Sequence, residues 1–362
     1  LLGFPLPVHF TDPLAEDTDN PAEHSGGFVA ETKRASLLVI FVTVFIDLLG
    51  FGIVVPLLPR YASDFNASDA TIGLLMSSFS AMQFLFSPVW GRLSDRIGRR
   101  PVLMMGLLSS AVFYALFGYA TGAGSLPLIF VSRIGAGIAG ATISTAQAYI
   151  ADSTTETERG KGMALIGAAF GVGFTFGPLL GAFWVSDEPG AAPSPAPGFV
   201  AAGLSFLAFC SALFVLKESL RPDIKPPQRH WLHFKSLKTA LSVPTIGMLL
   251  LTFFVATFAF ANFEPTLARL TMEPGFGFSY RDNFYLFAYI GFSLSIAQGL
   301  FVRRLLPVVG EVAMVMAGTV LMCAGLFGVG LAARLASTPL LLIVLPVSVA
   351  GFAGLTPSLQ SL

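Results

Sequence analysis

Apolar residues along this chain come in blocks of about 20, the length an α-helix needs to cross a bilayer. They lie near 36–58, 71–90, 102–121, 126–150, 162–184 and 199–216, then near 245–267, 284–302, 312–332 and 338–362. The pattern predicts ten spanning helices, a group of six followed by a group of four. Residues 217–244 between the groups are too polar to span and are broken by Pro222, Pro226, Pro227 and Pro244, so they read as a linker. Within it Trp231, Phe234, Leu237 and Leu241 recur at helical spacing while Lys235 and Lys238 fall off the stripe. That segment fits a short helix on the membrane face or an irregular solvated loop equally well. Residues 1–35 hold Pro, Asp, Glu and Gly without an apolar run, which reads as a disordered cytoplasmic tail and not a signal peptide. The expected organisation is a tail at 1–35, a six-helix bundle at 36–216, a cytoplasmic linker at 217–244 and a four-helix bundle at 245–362.

Composition turns these helices into membrane spans. The chain is 54% hydrophobic and 12% charged, against about 25% charged in soluble domains, with a mean hydropathy of +0.75. The expected fold class is an all-α polytopic membrane protein with the bilayer as its main partner. Its 21 basic and 21 acidic residues balance, and the basic ones cluster in loops, so nothing suggests a nucleic-acid surface and none is expected. Cys210 and Cys323 sit inside apolar runs, where a buried packing role is expected and a disulfide is not. His230 and His233 lack a third ligand, so no metal site is expected, and nothing calls for a cofactor.

Lysine and arginine also fix a direction. Sixteen fall in loops on one side, Lys33 through Arg304, and four on the other, Arg60, Arg269, Arg281 and Arg334, with Arg133 alone inside a span. The richer side is cytoplasmic by the positive-inside rule, which places the N-terminus in the cytoplasm.

Charge inside a span is costly and marks function by default. Asp47 lies about eleven residues from either end of span 1, roughly 16 Å deep. Arg133 lies about seven residues from the outer end of span 4, roughly 10 Å, and its long side chain can reach toward the depth of Asp47. The two read as a proton-coupling pair or, more plainly, as a structural ion pair. Glu264, before Pro265, is the one ionisable residue expected below the surface in spans 7 to 10; near the outer end, it suits a vestibule or structural role as well as substrate contact. Gln83, Gln147, Asn262 and Gln298 are candidate cavity residues, with Phe79, Phe86, Phe258, Tyr285 and Tyr289 as aromatic company.

Several motifs refine this reading. Gly135-Ala136-Gly137-Ile138-Ala139-Gly140 is a literal G-x-G-x-x-G, but it lies inside one apolar run with no alternating β/α pattern, so close helix packing explains it better than dinucleotide binding. An internal repeat sets Val54 to Arg60 in span 1 beside Phe263 to Arg269 in span 7, Ser144-Thr145-Ala146 beside Leu355-Thr356-Pro357, and the loop after span 2 beside Gly299, Arg303, Arg304 and Gly310. No H-E-x-x-H or G-x-S-x-G occurs, which argues against a membrane-embedded enzyme.

The most specific stretch is Gly91-Arg92-Leu93-Ser94-Asp95-Arg96-Ile97-Gly98-Arg99-Arg100-Pro101, read as a tight water-facing loop between spans 2 and 3. Its Gly91, Asp95, Arg96, Gly98, Arg99 and Arg100 resemble the loop between helices 2 and 3 of major facilitator superfamily transporters. Arg133 matches that family's arginine in helix 4. Span 5, with Gly167, Gly171, Gly173, Gly177, Pro178 and Gly181, resembles the Gly-Pro motif of the family's antiporters, with Ala182 where the motif closes on a second glycine. Together with Asp47-Leu48-Leu49-Gly50-Phe51-Gly52, Pro56, Pro59 and Ala81-Met82-Gln83, the chain is similar to tetracycline-resistance-type exporters from Val44 to about Trp184. The resemblance implies a monomeric transporter of the cell (inner) membrane, of which ten of twelve spans are present, that exports a small amphipathic compound in exchange for protons by alternating access. It implies further that Asp95 helps hold a cytoplasmic gate. Those exporters carry more embedded acidic and histidine residues in their second half, which argues against tetracycline itself. The alternative on the same fold is an importer of a sugar or metabolite.

Overall fold

The computed structural model describes residues 40–154, 156–188, 191–220, 243–272 and 275–361. The tail at 1–35, the candidate linker helix, His230 and His233 lie outside the described residues. Ten helices follow in order: α1 (Ile40–Asp64), α2 (Asp69–Ile97), α3 (Arg99–Gly122), α4 (Leu126–Ser153), α5 (Glu156–Ala182), α6 (Ala196–Val215), α7 (Pro244–Leu270), α8 (Tyr280–Val309), α9 (Glu311–Leu335) and α10 (Thr338–Ser361). Nine of them are long and apolar enough to cross a membrane, and in α5 the apolar described part is Ala169–Ala182. The chain is a polytopic helical membrane protein.

Local chemistry sets the helix ends. Ser68 caps α2 by accepting from the Thr71 amide, and Ser279 and Asp282 close a reciprocal capping box on α8. Proline in the first turn opens the helices at Leu126, Ala196 and Pro244, where its missing N–H is no loss. The stretch 91–101 is not the loop expected: α2 runs to Ile97 and α3 starts at Arg99, so Gly98 is the whole connection. Its φ of +105° is a conformation that side chains rarely adopt, and the change of direction is made in one residue. Gly310, with φ +79°, makes the same one-residue turn between α8 and α9, at its position in the repeat.

Two further expectations are corrected. Span 1 does not stop near residue 58: a short 3₁₀ turn at Val55–Leu57 accommodates Pro56, and the helix resumes to Asp64, so Arg60 is buried and is not a loop cation. Cys323 is exposed and Cys210 half-buried; an apolar run signals apolar surroundings, and lipid supplies these as well as protein does.

The span-5 glycines seat α5 between α1 and α8. A Cβ at Gly177 would stand 2.8 Å from Cα of Gly52 and 2.9 Å from the Leu49 carbonyl oxygen, and one at Gly173 would stand 2.9 Å from Cβ of Leu48. Gly181 lies under the Phe284 ring, and a Cβ at Gly171 would stand 2.9 Å from Oγ of Ser295. Backbone is the obstacle at Gly177, so nothing there can move aside cheaply. Gly177→Val should therefore lower the thermal midpoint in detergent by several degrees, since overpacking costs about 1–3 kcal/mol. Gly203→Ala, where nothing lies within 4 Å, should leave the midpoint where it is.

Candidate functional site

Among the described residues, three ionisable side chains on α1, α4 and α7 lie in apolar surroundings without a contact ion pair. Arg133 of α4 is 2% exposed, and its Nε and Nη1 are buried with no hydrogen-bond partner. Its guanidinium carbon sits 4.4 Å from the centre of the Phe79 ring on α2, a cation–π contact. Phe79 packs in turn on Phe51 of α1 at 5.1 Å, and Phe51 on Phe174 of α5 at 5.7 Å. The acidic charge that acts on Arg133 is Glu264 of α7, from the other half of the chain, and one Glu264 oxygen is buried and unpartnered.

Asp47 is not paired with Arg133, as depth alone suggested. Its carboxylate stands beside the Ser110 hydroxyl of α3, with Oδ1 buried and unpartnered, while the Tyr114 ring on α3 senses both Asp47 and Arg133. Depth along a helix says nothing of which face a side chain occupies, and α3 supplies the neighbour that the sequence does not reveal. Glu264, expected near the outer end of its span, lies close enough for its charge to act on Arg133. Buried charges without partners cost several kcal/mol each, so this arrangement is expensive for the fold.

The Asp95 end is a network within the first half. Arg99 is 8% exposed; it pairs with Asp95 at 2.5 Å and with Asp152 at 3.0 Å, and donates to Oγ of Ser94 at 2.7 Å. Arg96 is exposed, Arg100 donates to the Leu213 carbonyl at 2.7 Å, and Gly91 has open space where a side chain would be. Sequence reasoning missed Glu218. It accepts from the amides of Arg99 at 2.9 Å and Arg100 at 3.1 Å, and so places a carboxylate on the positive end of α3. A carboxylate just after span 6 was the available signal.

The opposite end, also missed, joins the two halves. Arg60 donates to the carbonyls of Ser279 at 2.8 Å and Phe278 at 2.7 Å, and its guanidinium lies 4.6 Å from the centre of the Tyr280 ring. Asp64 accepts from the Tyr280 hydroxyl, and Asn283 donates to the Pro56 carbonyl at 3.2 Å. Arg269 reaches Ser63 at 2.5 Å and Asp69 at 3.1 Å. Arg281 pairs with Asp187 and donates to the carbonyls of Ala182 and Val185, each at 3.1 Å. These contacts tie the described parts of the two halves together at this end.

The neutral candidates disperse. Gln83 and Gln147 line one cleft between α2 and α4, whereas Asn262 borders another between α7 and α9 and donates to its own helix at Phe258. Gln298 lies in a π-helical segment of α8, Ala297–Val302. Of the aromatic candidates Phe79 is buried against Arg133, while Phe258, Tyr285 and Tyr289 are exposed.

Comparison with known proteins gives three findings. The family described as Major Facilitator Superfamily matches residues 40–362. Tetracycline resistance protein, class C, of Escherichia coli is 37% identical over 224 residues, 61% of this chain and 54% of that protein, so the match spans about half of that relative's length. The crystal structure of the human organic anion transporter MFSD10 (TETRAN) superposes with a TM-score of 0.67 at 27% identity, covering 91% of this chain and 85% of that one.

Proposed function

We propose that this chain, which belongs to the Major Facilitator Superfamily and is a transporter and not an enzyme, exports a small amphipathic compound in exchange for protons. The observation that carries the reading is the trio of Asp47, Arg133 and Glu264, held without a contact ion pair among the described residues, between halves that are joined at one end. The names of its relatives, tetracycline resistance and organic anion transport, supply the class of cargo. With the basic Asp95 end placed in the cytoplasm, the structure corresponds to the state closed toward the outside.

Alternating access then has a physical handle. Opening the Arg60 end requires α7 to move against α4, which changes the distance between Glu264 and Arg133. A carboxylate deprived of its counter-charge in an apolar site is costly as an anion, and a proton relieves the cost. Asp47, with only a hydroxyl beside it, is the group we assign to carry the coupled proton. Asp95, through Arg99 and Asp152, keeps the cytoplasmic end of the first half in one piece as it rocks.

Inverted membrane vesicles containing the complete polypeptide test this directly. Compounds first selected by a drug-susceptibility panel should accumulate when a proton gradient is imposed, and drain when an uncoupler is added. Accumulation in right-side-out vesicles instead would establish import.

A further inference from the structure

The centre continues along the facing surfaces of α2 and α4. Phe79, which carries Arg133, is followed one turn on by Gln83 and a further turn on by Ser87; Gly137, Gly140, Ser144 and Gln147 follow Arg133 along α4. The two surfaces form an open cleft of about 480 Å³, within the range of roughly 300–1,000 Å³ usual for small-molecule sites. Its wall carries hydroxyls and amides from Ser80, Gln83, Ser87, Ser144 and Gln147 and an aromatic face from Phe84, and holds no ionisable side chain.

The backbone beside the cleft is fixed in an irregular form. Helix α4, read from the sequence as continuous, is interrupted at Ala141 and Thr142, between Leu126–Gly140 and Ile143–Ser153. The carbonyls at the break are satisfied by side chains: Trp90 donates to Ile138 at 2.7 Å, Thr142 to Ala139 at 3.1 Å and Gln83 to Gly140 at 3.1 Å. Gln83 thereby has its amide held in place with its oxygen free to accept. Ser80 and Gln147 are exposed and make no hydrogen bond to another described residue, so their donors and acceptors are open to whatever enters the cleft. Interrupted helices beside polar groups are where transporters of several folds hold cargo.

We infer that this cleft is a binding subsite for the uncharged part of the cargo, a flat apolar body bearing hydroxyl or amide groups. Phe84 offers the body an apolar wall, while Ser80, Gln83 and Gln147 meet its donors and acceptors. The inference rests on the transport reading for its biological sense, but binding at the cleft requires neither a gradient nor transport, so the two stand or fall by different measurements.

The test uses the complete polypeptide with Cys210 and Cys323 replaced, in inverted vesicles without a gradient. Single cysteines are placed at Ser80, at Gln147 and, on α2 away from the cleft, at Ser77. A water-soluble maleimide reads their reactivity with two probes: chloramphenicol, an uncharged aromatic with an amide and two hydroxyls, and tetraphenylphosphonium, an apolar ion with neither. Chloramphenicol should slow labelling several-fold at Ser80→Cys and Gln147→Cys and leave Ser77→Cys unchanged; tetraphenylphosphonium should slow none. Adding Gln147→Leu to Ser80→Cys should raise the half-protecting concentration about 2- to 10-fold, the worth of one hydrogen bond between neutral groups. Absence of labelling at both cleft positions would show the cleft covered, and equal protection by both probes or at Ser77→Cys would show partition without recognition. Either result overturns the assignment, as does no protection at all.

Discussion

Asp47→Asn should lose accumulation of cargo against its gradient while retaining downhill exchange. The substitution keeps the size and polarity of the side chain beside Ser110 and removes only its capacity to bind and release a proton. A proton crossing 100 mV contributes about 2.3 kcal/mol, roughly a fifty-fold concentration ratio for one proton per neutral cargo. In proteoliposomes with an imposed proton gradient the wild type should approach ratios of that order, and the variant should settle near one. The fold should be unharmed, because an uncharged amide relieves the cost of a buried carboxylate without a cationic partner. If Asp47→Asn still concentrates cargo, coupling lies elsewhere, and Glu264→Gln becomes the decisive variant, since Glu264 and not Asp47 is the carboxylate acting on Arg133.

The spans themselves, and most of their limits, were legible in the sequence because the bilayer demands long apolar runs whatever the partners. Gly98 was legible as one position of a family-like motif, but not as the whole connection between two helices, because the charges around it read as a longer water-facing loop. What escaped was everything set by azimuth. Asp47, Arg133 and Glu264 could each be ranked by depth, but whether Arg133 turns toward α1 or α7 depends on the rotation of α4, for which a 3.6-residue period in an all-apolar run gives no mark. Arg60 escaped for a different reason. Following Pro56 and Pro59, it looked like the first residue of a loop, whereas the prolines sit in first turns where they open helix and do not end it. Glu218 and the Arg60 contacts join residues more than 100 positions apart, a relation that no local pattern encodes.

The second large effect is expected at the clamp. Arg60→Ala removes two charge-assisted hydrogen bonds to backbone carbonyls and a cation–π contact with Tyr280, all of them between the halves. Hydrogen bonds to a charged group contribute about 1.5–3 kcal/mol each, and the Ser279 and Phe278 carbonyls would be left unpaired. A loss of at least about 3 kcal/mol from the closed arrangement shifts its ratio to the open one by roughly a hundredfold. Spin labels at Ala70 and Leu335, both exposed at this end on opposite halves, should then report a longer distance as the main population, where the wild type reports the shorter. Arg60→Lys, which keeps the charge but not the two-pronged donor, should fall between them. Tyr280→Phe is the milder companion: it deletes the hydroxyl that Asp64 accepts from while keeping the ring packed on Tyr61 at 5.4 Å. It should lengthen the distance in a smaller fraction of molecules without loss of folded protein. Distances unchanged in both Arg60→Ala and Tyr280→Phe would mean that packing of α5 against α8, and not this polar contact, holds the end shut; Gly181→Leu, which drives a side chain into the Phe284 ring, would then be the variant that opens it.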